Sequence, residues 1–175
     1  KLNNCLISSL HMNNLEEKIK LESQNLPIGD IIIKNEDGKE LLIIERKSLS
    51  DLASSIRDNR YKEQSFRLND CDVHNHNIIY LIEGSLSDYS PHKSRTPVKT
   101  LWSSMLSILY HKGFSVFRTI SINETAECIV RFTDKLERSK DNMSFYEDNN
   151  SGKEQNYCSV VKRVKKNNIT PENIG

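Results

Sequence analysis

A chain of 175 residues holds one medium domain with room for a short extension. Its 25 basic and 24 acidic residues leave a formal net charge of +1, so any electropositive surface must come from local clustering. Apolar runs are short and separated by charge, none is long enough to span a bilayer, and no secretory signal stands at the start of the given sequence; the expectation is a soluble α/β or α+β domain. Cys5, Cys71, Cys128 and Cys158 are widely spaced and read as free thiols. Cys71, His74 and His76 lie close together, but a structural zinc site needs a fourth ligand, so this stretch reads as an ordinary surface loop.

In chain order, Leu2, Leu6, Ile7 and Leu10 stand at helical spacing and predict a first helix over 2–12. Residues 18–26 alternate weakly and suggest a strand. Ile28–Lys34 is β-branched, and Glu40–Lys47 is rich in Leu and Ile. Between them stands Asp37-Gly38, a strong hairpin signal. Ser48 to about Cys71 predicts a helix broken near Asn59, with Leu49, Leu52, Ala53 and Ile56 as its stripe. Ile78–Ile82 suits a buried strand ending at Glu83-Gly84, and residues 84–97 read as a loop.

Val98–Tyr110 predicts a helix closed by Gly113. Its Trp102, Met105 and Leu109 share a stripe that favours core packing over a dimer interface. Phe114–Ile120 reads as a strand, and Asn123 or Thr125 as the cap of a last helix through Leu136. The expected organisation is a domain over 1–138, a flexible linker over 139–156 and a basic tail over 157–175. In that tail, Lys162, Arg163, Lys165 and Lys166 could touch phosphates or form a solvated end.

A two-residue turn at Asp37-Gly38 sets Glu36 opposite Lys39 and carries the register to Asp30 opposite Glu45. Opposed Cβ atoms in an antiparallel pair lie about 4.5–5.5 Å apart on one face. Two carboxylates there repel unless a cation lies between them, and Mg²⁺ is the natural one. Lys47 leaves on the same face as Glu45, Arg46 on the opposite one. The Arg46 carbonyl, between Glu45 and Lys47, is a candidate further ligand. Two acids and a lysine on one face suit metal-assisted phosphodiester hydrolysis. The bland alternative is a solvated strand face, with Asp30 as a turn residue.

The ordered run Gly29-Asp30, Glu45-Arg46-Lys47, Asp51-Leu52, Ser55-Ile56, Asp58, Arg60-Tyr61 and Gln64 resembles the XPF-type (ERCC4-domain) structure-selective endonucleases. Their signature is GD…ERKxxxDL…SI.D.RY.EQ, and the likeness covers most of residues 20–138. The resemblance implies an α/β, restriction-endonuclease-like core, with a central mixed β-sheet flanked by helices. It implies a nuclease that cuts branched DNA (3′ flaps, forks and junctions) in repair or recombination.

On that resemblance Asp30 and Glu45 would bind Mg²⁺ or Mn²⁺. Lys47 would assist the water or scissile phosphate, and Arg46 would support them. Asp51 matches the signature too, but Ser48-x-x-Asp51 is also a capping box, and both roles stand open. Arg60, Gln64 and Arg67 fall on one helical stripe and would contact DNA phosphates, against a solvated face in which Glu63 pairs with Arg67. The resemblance implies homodimers or heterodimers through the nuclease domain, and a nuclear place in a eukaryote, with a viral source also open. Members carry further acids on a strand before the first helix, and the given sequence opens at or within that helix. Often a helix–hairpin–helix module follows, and 157–175 could be its start. The main rival is a non-catalytic scaffold subunit, in which the acid–acid–lysine set would be lost. A sequence-specific restriction-type nuclease is disfavoured by the helix after Glu45-Arg46-Lys47.

Overall fold

Four strands form one sheet in the order β1-β2-β3-β4, and the hairpin is its antiparallel edge. The computed structural model describes residues 1–58, 60, 64, 67, 68 and 71–147. Strand β1 (Ile31–Lys34) pairs antiparallel with β2 (Glu40–Ser48). Strand β3 (Ile78–Glu83) runs parallel to β2, and β4 (Ser115–Thr119) runs parallel to β3. The sheet is therefore mixed. Continuous apolar runs in β2 and β3 follow from this topology, because parallel strands are covered on both faces.

Helices supply the two covers. Helix α1 (Leu2–Met12) and the last helix, α5 (Ile122–Arg138), pack on one face, where Leu6, Leu10, Ile129 and Val130 meet Ile44, Ile79 and Leu81. Helix α2 (Leu49–Arg57) and α4 (Val98–Tyr110) pack on the other, where Leu52, Leu101, Met105 and Ile108 meet Ile43, Ile78, Tyr80 and Ile82. Between β3 and α4 lies α3, a single turn at Pro91–Ser94, in the stretch expected to be loop throughout. The chain divides into two units, Lys1–Asn142 and Met143–Gly175. The second half of the expected linker, 148–156, and all of the basic tail lie outside the described residues.

Several expectations need correction. Residues 18–26 form no strand. Residues 21–25 are all exposed, and Lys20 and Glu22 pair with each other instead of serving a ladder. The expected break near Asn59 stands: the helix after β2 stops at Arg57, capped by Asp58, and helical residues resume at Arg60, Gln64, Arg67 and Leu68. The cap of α5 is Ser121, whose Oγ accepts from the Glu124 N–H at 3.2 Å. Thr125 is fully buried one turn inside and has a different task. The α4 stripe divides: Met105 is buried at 4% exposure, but Trp102 is 49% and Leu109 51% exposed. Core packing therefore accounts for Met105 alone of the three.

The turn differs as well, yet the register at its far end holds. Asn35 donates its N–H to Lys39 O and accepts from Gly38 N–H, each at 3.0 Å, so three residues make the loop. Gly38 takes the left-handed conformation this turn requires, at φ +82°. That adds one residue to the turn. A bulge at Leu41, between the Lys34–Glu40 and Ile33–Leu42 pairs, adds one to β2 and restores the expected pairing of Ile33–Leu42, Ile32–Ile43 and Ile31–Ile44.

Candidate active site

Continuing that register past Ile31 brings Asp30 opposite Glu45. Gly29 makes the approach feasible. Its φ is +70°, and a Cβ there would stand 2.6 Å from Ile43 Cγ2, inside any tolerable contact. The next residue, Asp30, then donates its N–H to Ile44 O at 2.9 Å, and its Oδ2 accepts from the Arg46 N–H at 2.8 Å. One carboxylate oxygen is thereby fixed to the β2 backbone between Glu45 and Lys47, and Oδ1 is left for a ligand.

Glu45 and Lys47 share the face covered by α2 and α4, near the C-terminal end of β2. Their side chains are 10% and 7% exposed, and Lys47 Nζ lies 3.4 Å from Glu45 Oε1. Burial pushes the Glu45 carboxyl above the usual range, the charge of Asp30 pushes it further, and Lys47 only partly offsets both. The local balance is thus one unit too negative. Asp30 is exposed, so the acid pair opens to the surface.

The donor set suits a hard divalent cation. Two carboxylates supply oxygen ligands, and the Arg46 carbonyl lies in the strand between Glu45 and Lys47. Among the described residues no group of three His, Cys, Asp or Glu side chains is gathered anywhere. The acids brought together on this part of the sheet are Asp30 and Glu45.

Arg46 itself turns to the other face. Its Nε and Nη2 donate to Glu83 Oε2 and Oε1 at 2.9 and 2.7 Å, a two-pronged pair joining β2 to β3. Glu83 Oε2 also accepts from Thr125 Oγ1 at 2.6 Å. With that proton committed, the 2.6 Å contact of Thr119 Oγ1 to Thr125 Oγ1 must be donated by Thr119. The sequence reading had Glu83 only as the end of a strand and Thr125 only as a candidate cap, and missed that the two meet. The signal was one acid closing an otherwise apolar strand.

Asp51 stands in the first turn of α2, and Ser48 Oγ accepts its N–H at 3.1 Å, the expected cap. Arg60 and Arg67 are exposed, and Gln64 is half-buried. Arg60 Nη2 reaches Asp58 at 3.2 Å, and Arg67 Nη2 reaches Pro27 O at 3.4 Å. Glu63 and Tyr61 lie outside the described residues. His74 Nδ1 accepts from the His76 N–H at 3.0 Å, capping the 3₁₀ turn at Asn75–Asn77.

A family profile described as the ERCC4 domain matches residues 4–132, well over half of the chain. The chain belongs to the ERCC4 domain family. This ERCC4 domain is 37% identical over 142 residues to a "Probable crossover junction endonuclease mus81" of Dictyostelium discoideum, covering 70% of the chain and 15% of that relative. It is 40% identical over 96 residues to the "Structure-specific endonuclease subunit MUS81" of Mus musculus, covering 55% of the chain and 16% of that relative. The chain thus spans less than a fifth of either length. Its fold is similar to that of XPF from Aeropyrum pernix, solved in complex with DNA. The TM-score is 0.55 at 22% identity, over 81% of this chain and 62% of that one. The core is restriction-endonuclease-like, as the resemblance implied.

Proposed function

We propose that this ERCC4 domain is the nuclease part of a Mg²⁺- or Mn²⁺-dependent endonuclease that cuts branched DNA. The observation that carries this reading is the buried Glu45–Lys47 pair, with the Asp30 carboxylate held beside it by the Arg46 N–H. Relatives named for crossover-junction and structure-specific cleavage supply the substrate class.

Asp30 Oδ1 and the Glu45 oxygen turned from Lys47 would hold the ion. When bound, it supplies a Lewis acid for the phosphoryl oxygen and an acidified water. Lys47 keeps a proton-bearing nitrogen at the edge of that position, where it can bond the scissile phosphate or the attacking water. Arg46 acts from behind the sheet, holding its own backbone in place through Glu83. Asp51 serves the start of α2 by giving its N–H to the Ser48 cap, and Arg60, Gln64 and Arg67 would meet DNA phosphates. Such an enzyme works where chromosomal DNA is, in the nucleus of a eukaryote; no helix among the described residues is long and apolar enough to cross a membrane.

The test is cleavage of end-labelled 3′ flaps and forks in Mg²⁺ or Mn²⁺, with EDTA as control. Cutting that is unaffected by Asp30→Ala and Glu45→Ala would overturn the reading. Fork binding without any cutting would favour the non-catalytic scaffold.

The outer face of α4 favours a second element, pairing with another nuclease domain as homodimer or heterodimer. Trp102, Leu106, Leu109 and Tyr110 are 49%, 58%, 51% and 82% exposed along one side of that helix. Large exposed apolar patches usually mark an interface. Trp102→Asp with Leu106→Asp is expected to raise the dimer dissociation constant at least tenfold, about 1.4 kcal/mol, by sedimentation equilibrium. An unchanged constant would remove α4 from the interface.

A further inference from the structure

From Tyr89 to Asn123 the chain holds no Asp or Glu, yet it carries Lys93, Arg95, Lys99, Lys112 and Arg118. Five cations without a carboxylate contrast with a whole-chain balance of +1. Three of them fall in one short segment, on α3, just after it, and in the first turn of α4. Lys93, Arg95 and Lys99 are exposed, and among the described residues none of their side chains meets a carboxylate.

The segment is built, not loose. Tyr89 Oη donates to Thr96 O at 2.8 Å, and buried Thr96 donates its Oγ1 to Ser94 O at 3.3 Å. Pro91 and Pro97 fix two φ angles, and Arg95 is held at φ +53°. The segment is tied to α2 through Arg57 Nη1, which donates to Ser94 O at 2.6 Å. Arg57, and Arg60 just beyond α2, both meet Asp58, at 3.9 and 3.2 Å, so the segment is tied to an arginine pair at the end of that helix.

Helix polarity adds to this charge. Helix α4 begins at a Pro97 cap with no side-chain hydrogen bond, and no acid stands in its first turn. A helix N-terminus carries about half a positive charge, which acids usually offset; here Lys99 adds to it. The surface also lies in the α2–α4 layer, the layer that covers the sheet face of Glu45 and Lys47.

We propose that Lys93, Arg95 and Lys99 form a phosphate-binding platform that grips a duplex arm of the DNA substrate beside the cleavage site, without reading its sequence. This rests on the nuclease reading above for its ligand. A held group of exposed cations with no carboxylate partner among the described residues, tied to Arg57 at the end of α2, suits the regular charge of a nucleic-acid backbone.

The experiment measures binding of a labelled 3′ flap and of a plain duplex in EDTA, by fluorescence anisotropy across a salt series. It compares the chain with a Lys93→Ala/Arg95→Ala/Lys99→Ala variant and with a control, Lys18→Ala/Lys34→Ala/Lys135→Ala. Each lost phosphate contact flattens the plot of log K against log[salt] by about 0.9. The platform variant is expected to flatten it by about 2–3 on both probes, and the control by less than about 1. Melting curves confirm that both variants fold. A slope that falls by less than about 1 in the platform variant, or equally in the control, overturns the platform. So does absence of DNA binding by the parent chain. The nuclease reading is decided separately, by metal-dependent cleavage and its loss in Glu45→Ala.

Discussion

Glu45→Ala is expected to lower the rate of flap cleavage by about 10³-fold or more, equivalent to about 4 kcal/mol of transition-state stabilisation. Two roles are lost together. The cation loses one of its two carboxylates, and Lys47, whose side chain is only 7% exposed, loses its partner. Glu45→Gln keeps the shape and one neutral oxygen but removes the charge, so its rate should fall nearly as far. Asp30→Ala should act similarly. It also frees the Arg46 N–H and thus relaxes the strand between Glu45 and Lys47. Flap binding should survive in all three, because neither Asp30 nor Glu45 is among the cations proposed to hold the phosphates. Initial rates on a labelled flap, beside anisotropy on the same flap in EDTA, separate the two effects. A variant that loses binding in proportion to cleavage would point to a folding defect.

Glu83→Ala is expected to cost about 3 kcal/mol, the lower end for breaking a buried ion pair, because the Arg46 side chain is still 29% exposed. For a domain of this size that is a melting temperature lower by roughly 10 °C. The substitution strands the Arg46 guanidinium and the fully buried Thr125 hydroxyl at once. Burial alone would raise the Glu83 carboxyl, but the hydrogen bonds from Arg46 and Thr125 outweigh it and hold it below the usual range. A lowered folded value means the stabilisation is present above the unfolded value and fades as pH falls through the folded one. The gap between parent and variant should therefore close in acid. Glu83→Gln, which keeps an acceptor for Thr125, should recover part of the loss. A melting temperature within about 2 °C of the parent would show the network to be dispensable.

Local pattern carried much of this fold. Both long parallel strands follow from apolar runs, and α1, α4 and α5 from apolar spacing. The active-site register was legible too, although by a different route. The hairpin reading assumed two turn residues; the chain uses three and compensates with the Leu41 bulge. A bulge depends on the packing of Ile33 and Leu42 against α1 and α5, which no local signal encodes.

The misses share that cause. Alternation over 18–26 suggested a strand, but residues 21–25 are exposed and pair with no strand, although the β1 edge is open. Thr125 looked like a cap, and only the fold brings it to Glu83, 42 residues away. The acid–acid–lysine set was visible because a strand's two-residue period sorts neighbours by face. The Arg46–Glu83–Thr125 chain was not, because it joins three elements through tertiary contacts.

The most direct test of the central claim, that Asp30 and Glu45 hold a divalent cation, is the melting temperature of the metal-free chain titrated with Mg²⁺ at pH 5 and pH 8. Glu45 must be ionised to bind, and burial together with Asp30 raises its pKa. Without metal, the stability tied to protonated Glu45 is present below its unfolded value and lost as pH rises through the folded one. Metal binding replaces it, so the shift should be larger at pH 8. At a hundred times its dissociation constant the ion should add about 2.7 kcal/mol, or roughly 5–10 °C, and almost nothing in Asp30→Asn or Glu45→Gln. No shift at pH 8, or an equal shift in both variants, would contradict the account.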